Sequence, residues 1–418
     1  MQQREIIIIG AGMVGVCTAL ALQKKGLQVT LLDSSEPGTE TSFGNAGIIT
    51  PSSLIPFNNP KLFKQLPNFL LNNSAGFRYS SRYLLAEFTT MLRFLSFSGR
   101  SSTARRTANL YQLIERSMAL HTDWASAENS PASLRHSGWL KLYRNSKSFN
   151  NAQYEQDIYQ QFNIGTQQLD AAQLHSFEPG LKDIYRHGVL INDALSVSSP
   201  GSLVKVYAAQ FKRQGGELLQ LKISHLQKLA AGWMIAQQCP TDEMAPLNCR
   251  QLVIAAGPWS KQLLSQLDMN LPMLFERGGH REYVSADTRP LSMPIHDIDG
   301  SFVASPIANG LRISCGVELN KHSASHSNTQ LDLVEYSARQ ALDFADSASS
   351  QWQGARPTMP DSLPLIGATK LAGLWLNTGH QHIGFSTGPA SAELLANLVV
   401  GECHSPTTNC FAPSRFNL

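Results

Sequence analysis

The first hydrophobic run of the chain is an unbroken β-branched one, Ile6-Ile7-Ile8-Ile9. Such a run, without polar alternation, is the mark of a strand buried on both faces of a parallel sheet. A glycine turn over residues 10–15 follows, then an Ala- and Leu-rich stretch through about Lys25 and a second run, Val29-Thr30-Leu31-Leu32. Residues 5–33 therefore predict a β-α-β unit. From 51 to 136 the texture changes to aromatic and basic segments at helical spacing, with Phe63, Phe69, Tyr83, Phe88, Leu92 and Leu95, which predicts an inserted helical region. Ser199-Pro200 and Gly215-Gly216 bracket a helix over 200–213. Residues 218–229 and 233–237 flank Ala230-Ala231-Gly232 and predict a hairpin, and 251–257 reads as a strand ending in a tight turn. Alternation in Ser301-Phe302-Val303-Ala304 and Leu311-Arg312-Ile313-Ser314 predicts an antiparallel sheet within 273–320, a platform suited to a substrate.

The chain has 418 residues, 42% of them apolar, more than one compact core usually holds, so two domains are expected. A net charge of +3 with 16% charged residues gives no global field for nucleic acid or an acidic partner. Cys17, Cys239, Cys249, Cys315, Cys403 and Cys410 show neither a C-x-x-C pair nor metal-ligand spacing, so no metal is expected. They read as free thiols of a cytoplasmic protein. The apolar run at the N-terminus is too short and too soon broken by glycines for a signal peptide, and no run is long enough to span a bilayer. Asn72-Asn73-Ser74 matches a glycosylation sequon that a cytoplasmic chain would not use.

Gly10-Ala11-Gly12-Met13-Val14-Gly15 fits G-x-G-x-x-G directly after a strand and at the opening of a helix, and Asp33 follows at the end of the next strand. The glycines let backbone N–H groups approach a pyrophosphate, and an acidic side chain can accept from ribose hydroxyls. Asp33 would repel a 2′-phosphate, so the ligand is FAD or NAD(H) rather than NADP(H). With no second G-x-G-x-x-G, FAD is expected; an NAD dehydrogenase using the second half for substrate is the alternative.

Glu40-Thr41-Ser42-Phe43-Gly44-Asn45-Ala46-Gly47 resembles the D-amino-acid dehydrogenase group of the D-amino-acid oxidase and glycine oxidase superfamily. Three further segments match in the family's order: Ala255-Ala256-Gly257-Pro258-Trp259-Ser260, then residues 354–361 around Arg356-Pro357, then Asn377-Thr378-Gly379-His380 with Gly384. The resemblance implies an α/β fold with an α+β cap: a discontinuous Rossmann-like FAD-binding domain (1–50, 185–272 and 348–418) and a mixed-sheet and helical substrate cap (51–184 and 273–347). It implies that Ser42, Asn45, Ala46 and Gly47 line the flavin, that Ile223 makes adenine-side backbone contacts, and that Gly379, His382, Ile383, Gly384, Phe385, Ser386 and Thr387 reach the pyrimidine end of the ring. Ser34, beside Asp33, and Ala255, Ala256, Gly257 and Trp259 complete the expected cofactor set. A helix over 390–400 would turn its N-terminus to the ring. Related sarcosine oxidases attach flavin through a cysteine near the Arg-Pro segment; Ala355 and Arg356 stand here, so dissociable FAD is expected.

The activity implied is oxidative deamination of an amino acid, most simply a D-amino acid, by hydride transfer to the flavin, with hydrolysis of the imine to a 2-keto acid. The substrate carboxylate needs an anchor. Arginine suits it because its planar fork engages both oxygens. In the family the arginine of the Arg-Pro segment often serves, which nominates Arg356, with Arg281 and Arg312 next in line. His280, Tyr283 and His296 fall in the expected cap sheet and His380 in the flavin-facing segment, where each can bound the substrate or carry a proton. A proline or hydroxyproline-type dehydrogenase, a flavin-binding subunit of a larger dehydrogenase and a tRNA-modifying flavoenzyme are the competing readings. The electron acceptor is a quinone or oxygen. Over 61–106, Lys61, Lys64, Arg78, Arg82, Arg93, Arg100, Arg105 and Arg106 alternate with aromatic and leucine residues, a pattern that fits peripheral contact with an anionic membrane.

Overall fold

The computed structural model describes residues 3–63, 71–126, 134–238, 245–284, 291–308, 310–402 and 406–418. Lys64, Phe69, Cys239 and Cys403 lie outside them. The isoleucine run forms the strand Arg4–Ile9 at the centre of a parallel sheet, paired with Val29–Asp33 on one side and Leu247–Ile254 on the other. Glu217–Gln220 extends the sheet beyond Val29–Asp33, and Leu374–Thr378 extends it beyond Leu247–Ile254, both parallel. Ile6 and Ile8 belong to one apolar core while Ile7 and Ile9 belong to another, so a single strand serves both faces. The expected hairpin is shorter than read. Glu217–Gln220 joins the parallel sheet, Leu221 donates its N–H to the Asp33 carbonyl at 2.7 Å, and only Ile223–Leu229 pairs back with Gly232–Gln237.

Helices cover one face of this sheet. Met13–Lys24 packs against Pro200–Arg213 and Gly384–Val399, and Arg100–Ser126 packs against Gly384–Val399 in turn. Pro200–Arg213 starts where the sequence expects, with the Ser199 hydroxyl accepting from Ser202 N. Gly384–Val399 starts earlier than the expected Ala390 and carries Pro389 inside it. Proline has no N–H to return to the carbonyl four residues back. His121 replaces it: its Nε2 lies 3.0 Å from the Phe385 carbonyl, while its Nδ1 lies 2.9 Å from the Tyr207 hydroxyl. The pairing assigns the proton to Nε2 and leaves Nδ1 to accept.

The alternating segments form a second sheet. Its strands run in the order Phe77–Tyr79, Val317–Leu319, Leu274–Val284, Gly310–Ser314, Phe302–Ile307, Ile295–Asp297, Trp139–Tyr143, His187–Ile191 and Thr166–Asp170. Ser350–Thr358 pairs antiparallel with Leu274–Val284 from Leu274↔Thr358 to Glu282↔Ser350. Ser350–Thr358 and His187–Ile191, assigned above to the nucleotide domain, hydrogen-bond into the cap sheet, because continuous ladders there satisfy their backbones. The helical region after residue 51 exists as Ser81–Ala86, Phe88–Ser96 and Arg100–Ser126.

Replacing His121 with Ala should cost about 1–3 kcal/mol, because the Phe385 carbonyl loses its donor. The loss is read as a lower urea midpoint. In a Pro389→Ala background, where residue 389 regains an N–H, the same replacement should cost less. Burial pushes the His121 ring down to about 4, whereas an unfolded histidine takes its proton near pH 6.5. Its contribution is complete above about pH 6.5 and falls as the pH drops towards 4.

Candidate active site

Gly10 leaves the opening strand at φ +112°, and a Cβ there would lie 2.5 Å from the Ala255 carbonyl oxygen. One on Gly15 would lie 1.7 Å from the Gly10 carbonyl oxygen, so both positions admit only glycine. Ala11 N donates to Asp33 Oδ2 at 2.6 Å, Ser35 N donates to Asp33 Oδ1 at 2.9 Å, and Met13 N donates to Ser42 Oγ at 2.9 Å. The turn therefore faces a cleft of about 590 Å³ between the two sheets. Gly10, Gly12, Met13, Val14, Asp33 and Ser34 line its first part, together with Ile223. Ala255, Ala256, Gly257 and Trp259 line it from the end of the Leu247–Ile254 strand. Ala11 and Gly15 support the turn from behind.

Ser42, Asn45 and Ala46 form the next stretch of wall. Gly47 is behind it at φ +76°, where a Cβ would lie 2.3 Å from the Val197 carbonyl oxygen, and its N–H donates to Asn45 Oδ1 at 2.8 Å. Arg312 reaches across from the cap sheet to hold this loop. Its guanidinium donates to the carbonyls of Phe43 and Asn45 while pairing with Glu282 at 2.6 Å. Gly44 faces the Trp352 ring so closely that a Cβ would sit 1.9 Å from it.

The C-terminal wall is built by Asn377, Thr378, Gly379, His380, His382, Gly384, Phe385 and Ser386. Ile383 and Thr387 instead turn into the protein, where the Thr387 hydroxyl donates to the Ile383 carbonyl at 2.9 Å. Burial pushes His380 and His382 down to about 3, and the Arg356 charge adds to the effect on His382, so both rings are neutral. His382 packs on Phe57 with ring centroids 4.5 Å apart. The wall fits a cofactor in need of polar partners, since Asn377 Oδ1, His380 Nε2 and His382 Nδ1 are buried and meet no protein partner among the described residues.

Of the cap candidates, Arg356 alone reaches the cleft. It lies opposite Glu276 and over Gly278, where a Cβ would come 2.7 Å from the guanidinium. Among the described residues its guanidinium meets no carboxylate and no hydrogen-bond acceptor, whereas Arg281 is paired with Asp332 and Glu335 and Arg312 with Glu282. Burial raises the pKa of Glu276, against the Thr358 hydroxyl, which donates to it at 2.7 Å, and the Arg356 charge opposite it, both of which pull it down. Tyr283 lies away from the cleft, packed 4.6 Å from Phe344 in the cap core, because it sits an odd number of residues from Gly278 on a pleated strand. His280 stacks behind Trp352 at 5.7 Å, and His296 stacks behind Trp139 at 5.8 Å and 2°. Burial pushes them down to about 3 and about 4. The aromatic walls themselves, Trp139 and Trp352, carry no motif, nor do Thr50, Val303, Ser314 and Cys315 beside them. Strand alternation could have picked out Val303 and Ser314, which face each other in register.

Residues 5–398 match the family described as FAD dependent oxidoreductase. Across 99% of both chains the sequence is 29% identical to a D-amino-acid oxidase of Bradyrhizobium diazoefficiens. It is 30% identical to D-amino acid dehydrogenase 2 of Pseudomonas aeruginosa, covering 96% of this chain and 95% of that one. The fold superposes on glycine oxidase from Geobacillus kaustophilus with a TM-score of 0.75 at 16% identity, covering 99% and 98% of the two chains. The strand-turn-helix with its Asp33, the wall of unsatisfied polar groups and this full-length match agree, and the chain belongs to the FAD-dependent oxidoreductase family.

Proposed function

We propose that this enzyme oxidises the Cα–N bond of a D-amino acid, giving an imine that water converts to a 2-keto acid and ammonia. The observation that carries the reading is Arg356, a guanidinium in the cleft wall with no hydrogen bond or ion pair among the described residues, beside two arginines that are already paired. Bound FAD supplies the hydride acceptor. Gly10, Gly12 and the N–H groups opening the Met13–Lys24 helix hold the pyrophosphate, Asp33 the ribose, and Ile223 the adenine side. Ser42, Asn45, Ala46, Gly257, Gly379 and Ser386 line the ring. Arg356 fixes the substrate carboxylate by two parallel hydrogen bonds, while Trp139, Val303 and Trp352 exclude water and leave the α-carbon facing the cofactor. His380 and His382, neutral at working pH, offer hydrogen bonds without adding positive charge. The D preference is supported by the names of the full-length relatives.

Membrane contact at the cap helices is part of this proposal. Leu85, Phe88 and Leu92 are 78%, 55% and 50% exposed, and Arg82, Arg93, Arg100 and Arg105 are exposed near them. Arg106 drops out of that surface, since it is 3% exposed and donates to the carbonyls of Asn58, Phe97 and Asp361. No helix of the described residues is long and apolar enough to cross a membrane. A peripheral apolar and basic face suits transfer of electrons to a quinone in an anionic bilayer.

Arg356→Leu should retain FAD and weaken substrate binding by roughly 2–5 kcal/mol, with partial rescue in Arg356→Lys; anaerobic flavin bleaching by a panel of D- and L-amino acids reads both. Acid precipitation should release the yellow colour. Cys315 reaches the cleft wall with its sulfur accepting from Gly279 N at 3.1 Å, but burial raises its pKa and keeps it a thiol, a poor nucleophile for tethering. The protein should pellet with anionic liposomes at low salt and not at high salt, and Leu85→Glu with Leu92→Glu should abolish pelleting without slowing anaerobic bleaching. Protein that stays in the supernatant and releases peroxide at full rate in air is an oxidase without membrane contact.

A further inference from the structure

The cap sheet turns one row of side chains towards the cleft. Trp352, His280, Ser314, Val303 and His296 stand opposite one another in consecutive register on neighbouring strands. The adjacent Phe302, Ala304 and Ile313 point the other way, into the cap core. Both histidines of the row are covered, since the Trp352 ring stacks on His280 and the Trp139 ring on His296. Ser314 and Val303 lie between them, and both line the cleft together with the two indoles. Strand spacing sets the two histidine strands about 14 Å apart. The space between the indoles is therefore a slot whose floor is one hydroxyl and one isopropyl group.

The place of this slot relative to Arg356 decides what can enter it. The guanidinium lies over Gly278, two residues from His280 on the same strand, so the slot opens roughly 7 Å from the anchor. A carboxylate held on Arg356 leaves the α-carbon short of the slot and brings the γ and δ atoms of a side chain over its floor. The Ser314 hydroxyl is buried and meets no partner among the described residues, although it can donate one hydrogen bond and accept another. An apolar side chain would leave that group unpaired, which is unfavourable in a buried site. A charged side chain would fare worse. Burial keeps His280 and His296 neutral, Lys141 opposite His296 is paired with Glu155, and Arg312 is paired with Glu282. No charge among these groups is left to meet another.

We propose that this slot receives the substrate's side chain and that Ser314 selects amino acids whose side chain is uncharged and carries a hydroxyl or an amide. The inference rests on the amino-acid reading given above and names a substrate class within it. Ser314 exchanges a hydrogen bond with the polar group, Val303 takes the alkyl part, and the indoles close the slot at its sides.

The test uses the FAD-loaded enzyme without oxygen and pairs of D-amino acids of equal shape, threonine against valine and asparagine against leucine, with aspartate as the charged counterpart of asparagine. Perturbation of the flavin spectrum during titration reads binding, and bleaching reads turnover. Threonine and asparagine should each bind at least about tenfold more tightly than the apolar partner, and asparagine should exceed aspartate by a similar factor. In Ser314→Ala the threonine-to-valine and asparagine-to-leucine ratios should fall to within about threefold of one. Wild-type enzyme that bleaches with all of them and binds them without preference, aspartate binding as tightly as asparagine, or ratios that survive Ser314→Ala overturn the selection by Ser314 and leave the amino-acid reading in place. Preferential binding with no bleaching by any amino acid instead overturns that reading and supports the slot. Absence of binding by every member of the panel overturns both.

Discussion

The cleft exists because a buried arginine ties the cap sheet to the loop that follows the first β-α-β unit. Arg312 is 2% exposed, and a guanidinium so placed must have its hydrogen bonds met. Glu282 neutralises it from the neighbouring strand, and the remaining donors go to the Phe43 and Asn45 carbonyls. Removing one member of such a pair leaves the other charge unpaired, at a cost of about 3–5 kcal/mol. The loop it fixes presents Ser42, whose hydroxyl accepts from Met13 N. One ion pair in the cap thereby sets the height of the wall opposite the glycine turn. The two units cannot be moved apart without exposing it.

The same constraint sorts the arginines. Arg281 and Arg312 are paired within the protein, and among the described residues Arg356 is the arginine that lines the cleft, without a hydrogen bond or ion pair of its own. The buried histidines add no competing charge, since removal from water disfavours their protonated forms. Lys222, the other cation of the wall, sits at the far end beside Asp33, where Leu221 N meets the Asp33 carbonyl. An anion entering between the sheets therefore finds one cation at the cap end. On the proposed reading, that fixes the orientation of an amino acid before any contact with its side chain.

Local order in the sequence explains which parts of this were legible. The isoleucine run, the glycine turn, Asp33 and the helix over 200–213 depend on neighbours a few positions apart, and the structure has each where the pattern puts it. Contacts between distant segments were not legible. Pro389 reads as a helix start because proline favours the first turn; the helix runs through it only because His121, 264 residues from Phe385, supplies the missing donor. Arg356 is nominated through its Arg-Pro segment, but the pairing of its strand with Leu274–Val284 is invisible until the register is known. Tyr283 illustrates the pleat, since a candidate named from its strand alone has even odds of pointing at the cleft, whereas His280 shares the face of Gly278 and is covered by the Trp352 ring.

On the proposed reading, electrons leave the site for a nonpolar acceptor, which needs an apolar approach to the cleft. Phe57 packs against His382 on one side and is 41% exposed on the other, in the same stretch of chain as the exposed Leu85, Phe88 and Leu92. An apolar approach of that kind favours a hydrophobic acceptor at the cleft and offers a proton nothing to bind. On the proposed reading, an apolar approach at Phe57 lets the cap bring a nonpolar acceptor to the cleft wall beside His382 without adding a charge that would compete with Arg356 for the substrate carboxylate.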